Sequence, residues 1–484
     1  MKQVRLSRRD FLRTAAVASA AGLVVACQPP APPPAAPAAA TPAPQAEQPT
    51  AAPQATVQEA PAAAVVIKWW DFPRGWAPPG STEAPNAWNE EMAKKYAELN
   101  PGVTVEFTGV SWSDGPQKLD VALAANEGPN IMYGYPALFG KMLSLDTLAP
   151  IDDFVATMDA ADVNDFFPPA WDFVTVDGKK WAWPWYYGSE GEWAINTTVA
   201  EEAGAQDMLP KAPAYGWTPE EMLAFAQKTT FKRANGEEVW GLALWTNEQQ
   251  GINIWPLWSF PYMFGGKLYD EQTRKSEFGN EAGVKAFQFM YDLVEKDKVA
   301  PPGAGGLTGA DVGELWNRKQ LTTRISGGVE ALIGLKAALD AGTIQGPFEV
   351  LPVQPPTSAG LPVRTNGGIG VQMVFKKDDP AALKEAMKFA QWLTSAQNME
   401  ILGYLTPLTA RQSTTQKLAG DDPVTKWRIE YILPTMASYS KAPEDFKIDD
   451  AWMQALQSMY AKERTPQEAA TWFEGEANKL LQGS

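Results

Sequence analysis

Val65-Val66-Ile67-Lys68-Trp69-Trp70-Asp71 is a run of strand formers, and it opens the alternation that decides the fold. After it, Trp88, Met92, Tyr96 and Leu99 recur near one helical turn until Asn100-Pro101-Gly102 stops them. Val103 to Phe107 then reads as a second strand and Gln117 to Asn126 as a second helix. Beyond Gly128-Pro129-Asn130, Ile131-Met132-Tyr133 reads as a third strand. Strand, helix, strand, helix, strand predicts a parallel sheet, and in such sheets ligands gather beyond the carboxyl ends of the strands.

The alternation continues downstream. Thr218-Pro219-Glu220-Glu221 has the form of a capping box with proline at the first helical position, opening a helix through Met222, Phe225 and Ala226. A longer helix is expected from about Glu281 to Lys296, with Val284, Phe287, Tyr291 and Val294 on one stripe. Val239 to Trp245, Leu321 to Ser326, Phe348 to Val353 and Ile369 to Phe375 are strand-like, so a second α/β domain is expected. There is no internal repeat of solenoid length.

Upstream, Ser7-Arg8-Arg9-Asp10-Phe11-Leu12-Arg13 sets Arg8 and Arg9 ahead of an apolar stretch from Thr14 to Ala26, the order of a twin-arginine export signal. That stretch is too short to span a bilayer. It ends in Val24-Val25-Ala26-Cys27, which resembles a bacterial lipobox, and residues 1–26 are read as the signal with Cys27 as the lipidated residue. Residues 27–64, almost wholly Ala, Pro, Gln and Thr after the cysteine, are too poor in apolar groups to fold and are expected to be an extended tether. Cys27 is the only cysteine and there is no histidine. Intramolecular disulfides, Ser-His-Asp and Cys-His catalytic sets and histidine-ligated metals are therefore excluded, and neither metal nor cofactor is expected. A formal net charge of -16 argues against a nucleic-acid partner.

Further stretches follow in a recognisable order: Gly178-Lys179-Lys180-Trp181-Ala182-Trp183-Pro184, then Glu192-Trp193-Ala194-Ile195-Asn196 with Glu202-Ala203-Gly204, then Trp217 to Glu221. Gly265-Gly266-Lys267-Leu268-Tyr269-Asp270, Val299-Ala300-Pro301-Pro302, Ile325-Ser326-Gly327-Gly328, Asn366-Gly367-Gly368, a helix from Ala381 to Thr394, and Gly403 to Leu408 complete the series. In this order they resemble the extracellular solute-binding proteins of sugar ABC importers, the maltodextrin-binding type in particular. The resemblance implies an α/β, two-lobed, periplasmic-binding-protein-like (type II) fold with strands crossing between the lobes. One lobe would be residues 65–188 plus 374–405, the other 189–373 plus 406–484. It also implies a monomer that is not an enzyme, a small carbohydrate ligand, ABC permease subunits as partners, and a place at the extracytoplasmic face of the membrane.

Sugars present apolar C–H faces that stack on aromatic rings and hydroxyls that each need a donor or acceptor. By the strand-end rule the first lobe offers Trp70, Asp71, Trp112 and Tyr135, with Trp76 near them. The crossing offers Tyr186, Tyr187 and Glu190, next to Trp185. The second lobe offers Trp255 and Trp258, flanked by Asn253 and Tyr262, then Gly328 and Glu330. Asn366, Gly367 and Gly368 would let a ligand approach the backbone. Every one of these tryptophans could equally serve core packing, and Trp427, Trp452 and Trp472, in helical stretches, are read as core. Cationic partners for an anionic ligand are few, Arg74, Arg324 and Arg411, which favours a neutral one. Two other functions fit the same residues: a secreted glycoside hydrolase using paired carboxylates, and a two-lobed adhesion or signalling lipoprotein.

Overall fold

The structure, a computed structural model, describes residues 65–73, 86–112, 114–189, 191–248, 251–270, 272–325, 339, 342, 344, 346–404, 408–438 and 441–483. The expected export signal with Arg8 and Arg9, Cys27, and the expected tether of residues 27–64 lie outside these residues. No helix among the described residues is long and apolar enough to cross a membrane.

Strand β1 (Val65–Asp71) buries Ile67, Trp69 and Asp71 and turns Lys68 outward. Helix α1 (Ala87–Leu99) follows and ends where the Asn100 side chain caps the Tyr96 carbonyl at 2.8 Å. Strand β2 (Val103–Gly109), helix α2 (Gly115–Ala124), strand β3 (Ile131–Gly134) and helix α3 (Pro136–Ser144) come next. As the alternation predicts, β1 pairs in parallel with both β2 and β3. Strand β4 (Ala182–Ser189) belongs to the same sheet through a later strand, and β5 (Trp193–Asn196) begins a second one. There β5 lies between β6 (Thr323–Arg324) and β7 (Val350–Val353), antiparallel to both. The long β8 (Thr365–Val374) returns, antiparallel to β3 and β4, and the late β9 (Met436–Ser438) pairs in parallel with its first residues.

Two hydrophobic cores result. In the first, Trp69 meets Trp88, Phe107 and Phe389 edge-on at 5.1–6.1 Å, so α1 and helix Pro380–Leu393 cover one face of the sheet. The Tyr96 hydroxyl donates to Glu385 at 2.8 Å and joins those two helices. This core also takes in Ile369, Val371 and Met373 of β8 and extends to Leu408 and Ala410, because β8 is bonded to β3 and β4 along most of its length. The second core gathers residues from Trp193 to Val353 and from Ala442 to Leu481. Helices Glu281–Glu295, Asp445–Tyr460 and Pro466–Gln482 meet there, with Phe287 on Trp452 at 6.1 Å and Phe278 on Phe473 at 5.1 Å.

The second lobe differs from the sequence reading in three places, and at Leu321 to Ser326 only Thr323–Arg324 is strand. Val239 to Trp245 forms only a two-residue strand at Glu238–Val239. Its backbone groups are taken elsewhere: Trp240 exchanges bonds with Gln320 and Thr322, Gly241 N–H goes to the Thr230 hydroxyl, and Leu242 N–H to the Val299 carbonyl. In helix Glu281–Glu295 the buried face centres on Ala286, Phe287, Met290, Leu293 and Val294, and the expected Val284 and Tyr291 stand half-buried at its margins. The capping box at Thr218 and Glu221 is present, with Pro219 at the first helical position.

Gln372 of β8 is fully buried, and neither end of its amide has a hydrogen-bond partner among the described residues. An unsatisfied buried amide costs about 1–3 kcal/mol. Gln372→Met, which keeps the length and removes the polar atoms, is expected to stabilise the protein by an amount of that order in denaturant unfolding. A loss of stability would mean that the amide is satisfied.

Candidate functional site

At the carboxyl ends of the parallel strands the chain turns aromatic. Asp71 is fully buried, and its carboxylate accepts from the Phe72 N–H at 2.7 Å and from Asn89 Nδ2 at 3.3 Å. This fixes the exit from β1 and sets Phe72 beneath Trp112, whose ring is stacked on it at 4.3 Å and 11°. Trp112 follows β2, donates its indole N–H to the Pro73 carbonyl at 3.1 Å, and remains 46% exposed. Tyr135, between β3 and α3, lies 6.2 Å from Trp112 and 6.0 Å from Phe72. Burial pushes its hydroxyl pKa up, so it stays a neutral hydrogen-bonding group. Trp70 is half-buried on the same core. Segments after three strands thus build one aromatic platform on which Trp112 is half-exposed, suited to apolar C–H surface. Phe72 carries no motif of its own; its place under Trp112 emerges only when β1 and β2 pair.

The crossing strand divides its aromatics. Trp185 is fully buried between Trp88 and Tyr133, each at 5.8 Å, and Tyr187 packs on Phe167 at 5.1 Å, where burial raises its pKa. Tyr186 is half-buried, and its hydroxyl reaches over Gly188. Asn366 is buried and donates from Nδ2 to the Trp255 carbonyl at 2.6 Å. Gly367 is needed for packing: a Cβ there would come within 1.7 Å of the Met436 side chain. Gly368 pairs with Gly188 in the ladder between β4 and β8.

In the second lobe, Gly251–Trp258 forms a 3-10 segment that the Asn366 bond ties to the start of β8. Trp255 is half-buried there. Trp258 is a core residue at 5% exposure, its indole directed to the buried carboxyl of Asp449. Beside them Tyr269 donates its hydroxyl to Asp445, and burial raises the Tyr262 hydroxyl pKa. Trp452 is fully buried, Trp427 is buried and donates to the Ala214 carbonyl, and Trp472 lies half-buried beneath Arg464. Arg411 is buried, paired with Asp162 and Asp165 and set 4.0 Å over Phe166, so its charge is committed to the first lobe. Arg324 is half-buried in β6. Arg74, Trp76, Glu190, Gly328 and Glu330 lie outside the described residues, as does the side chain of Asn253. Among the described residues no acidic cluster could hold a metal ion.

Two lobes on crossing strands, with an aromatic platform at the strand ends of one, define a solute-binding clamp. The family model described as bacterial extracellular solute-binding protein matches residues 79–400, and the chain belongs to that family. Among solved structures the chain is similar to an ABC substrate-binding protein from Listeria monocytogenes in complex with cycloalternan, at 20% identity and a TM-score of 0.68 over 86% of this chain and 99% of that one. It is also similar to an ABC transporter solute-binding protein from Thermotoga lettingae bound with alpha-D-tagatose, at 21% identity and 0.69 over 86% and 100%. A third is a maltose/maltodextrin-binding domain from Bdellovibrio bacteriovorus bound to maltotriose, at 17% identity and 0.67 over 86% and 100%. These are periplasmic-binding-protein-like proteins of two lobes, as this chain is.

Burial raises the Asp449 carboxyl well above the ordinary range, and the charges of Asp445 and Asp450 push the same way. The folded state thus favours the neutral acid and holds its proton to higher pH than the unfolded chain. The stability this group allows is complete below the ordinary carboxyl pKa of about 4 and falls as pH rises toward the raised value. Asp449→Asn, which keeps an acceptor for Trp258, is therefore expected to raise the melting temperature at neutral pH and to change it little at about pH 4. Equal effects at both pH values would show that Asp449 ionises as freely folded as unfolded.

Proposed function

We propose that this chain captures a neutral carbohydrate between its lobes at the extracytoplasmic face of the membrane and delivers it to ABC permease subunits. The observation that carries the reading is the half-exposed Trp112 stacked on Phe72 at the strand ends of a solute-binding clamp. The sugars named with the similar structures, cycloalternan, alpha-D-tagatose and maltotriose, are uncharged and ring-forming, and they support the same choice. So does Arg411, whose charge is neutralised inside the first lobe. The chain acts as a monomer and leaves its cargo chemically unchanged. Cys27 is its lipid-bearing residue and residues 28–64 its tether, keeping the clamp near its permease at high effective concentration. A ligand that touches both lobes favours the closed form because it gains contacts only there.

Calorimetric titration with maltotriose, a cyclic glucan, tagatose and polyols is expected to give saturable binding for at least one sugar, recovered intact. Failure across the panel removes the carbohydrate reading, and released reducing ends would make the protein a hydrolase. On the scale of aromatic stacking with bases, Trp112→Ala should weaken binding by about 1–3 kcal/mol. It should lower the melting temperature less than Trp258→Ala, which removes a core residue.

A further inference from the structure

Glu192 stands between the end of β4 and the start of β5, on the first connection from lobe to lobe. Arg428 begins a π-helical turn, Arg428–Ile432, that leads through Leu433–Thr435 into β9. Both side chains are 0% exposed, and Arg428 Nε lies 2.9 Å from a Glu192 carboxylate oxygen. The surroundings bring the remaining crossing to the same place. Gly191 lies so close to β8 that a Cβ would come within 2.4 Å of the Asn366 nitrogen, and the hydroxyls of Thr365 and Thr435 are 3.1 Å apart. Among the described residues, the segments that lead into β5, β8 and β9 therefore come together beside this ion pair. Asn366 links the meeting point onward to Trp255.

A buried ion pair contributes little net stability compared with apolar packing, but separating it leaves bare charge in an apolar medium and is steeply opposed. Two connections joined in this way can turn about one another but not part. We propose that Glu192 and Arg428 are positioning residues of the hinge: by pinning the first crossing to the segment that leads into β9 they confine the lobes to one axis of motion. If the sugar clamp of the preceding section holds, the pin also sets affinity, because a ligand that needs both walls binds in proportion to the fraction of molecules whose lobes are correctly aligned.

The test uses the full chain with Cys27→Ser, which removes its only thiol, and spin labels on Leu99→Cys in the first lobe and Lys296→Cys in the second, both highly exposed. Interlobe distances are measured without ligand, so the result does not depend on the nature of the cargo. The double variant Glu192→Gln/Arg428→Met removes the pin without leaving an unpaired buried charge. Its distance distribution is expected to be at least twice as broad as that of the parent at a temperature where both are fully folded. Arg428→Lys, which keeps the charge, should restore most of the narrow distribution. A double variant with the parent's width overturns the proposal whatever its melting temperature, since a merely structural pair would alter stability alone. Where the parent binds maltotriose, the double variant's Kd should rise at least threefold. Absence of maltotriose binding by the parent bears on the carbohydrate reading and leaves the distance result to decide the hinge.

Discussion

Where Ala182–Ser189 and Thr365–Val374 lie antiparallel, two strands of the first sheet run out toward the second lobe, and Met436–Ser438 joins them on the far side of β8. Three backbones side by side leave no room for ordinary side chains at their closest points. Gly367 gives way to Met436, and Gly191 to the backbone of Asn366. This crowding makes the lobes one molecule. It also ties the Gly251–Trp258 segment to the crossing through Asn366, so the position of Trp255 follows the position of the hinge. The platform on the other side, Trp112 on Phe72, is held instead by the sheet of the first lobe.

The parallel first sheet was readable from the alternation of Val65–Asp71, Val103–Phe107 and Ile131–Tyr133 with helical stretches, because hydrophobic periodicity and turn residues are local signals. Thr218 and Glu221 declared a helix start for the same reason. Val239 to Trp245 shows where local reading stops: its composition suits a strand, but its backbone groups are bonded to loops and to the Thr230 hydroxyl. Strand-end position was enough to bring Trp112 and Tyr135 to the same end of the sheet. It could not say that Asp71 would be turned inward to hold Phe72, or that Trp258 would be core while Trp255 stays half-buried. Those outcomes depend on neighbours far along the chain, as does the pairing of Glu192 with Arg428, for which no spacing rule exists.

Charge is placed unevenly. Among the described residues most ion pairs join exposed groups, several of them within one helix, and such pairs contribute little to stability. Among the described residues, two buried arginines are each paired with a carboxylate: Arg411 fastens the segment after Leu408 to Asp162 and Asp165, and Arg428 meets Glu192 at the hinge. The aromatic platform at the strand ends is built from uncharged rings, which suits a cargo held by stacking and neutral hydrogen bonds.

The order of the strands has a kinetic meaning. The first-lobe sheet contains β1 at Val65–Asp71 and β9 at Met436–Ser438, so its strands are far apart along the chain, and the core residues described from Trp193 to Val353, between β4 and β8, belong to the other lobe. Left unfolded, that insert would oppose pairing of β4 with β8 through the entropy of closing a very long loop. Once folded, it presents β5, next after β4, and β7, next before β8, as hydrogen-bonded neighbours, so the ends of the insert are already close. The second lobe therefore acts as an intramolecular template for the first, and substitutions in its core should slow the maturation of a sheet they never touch.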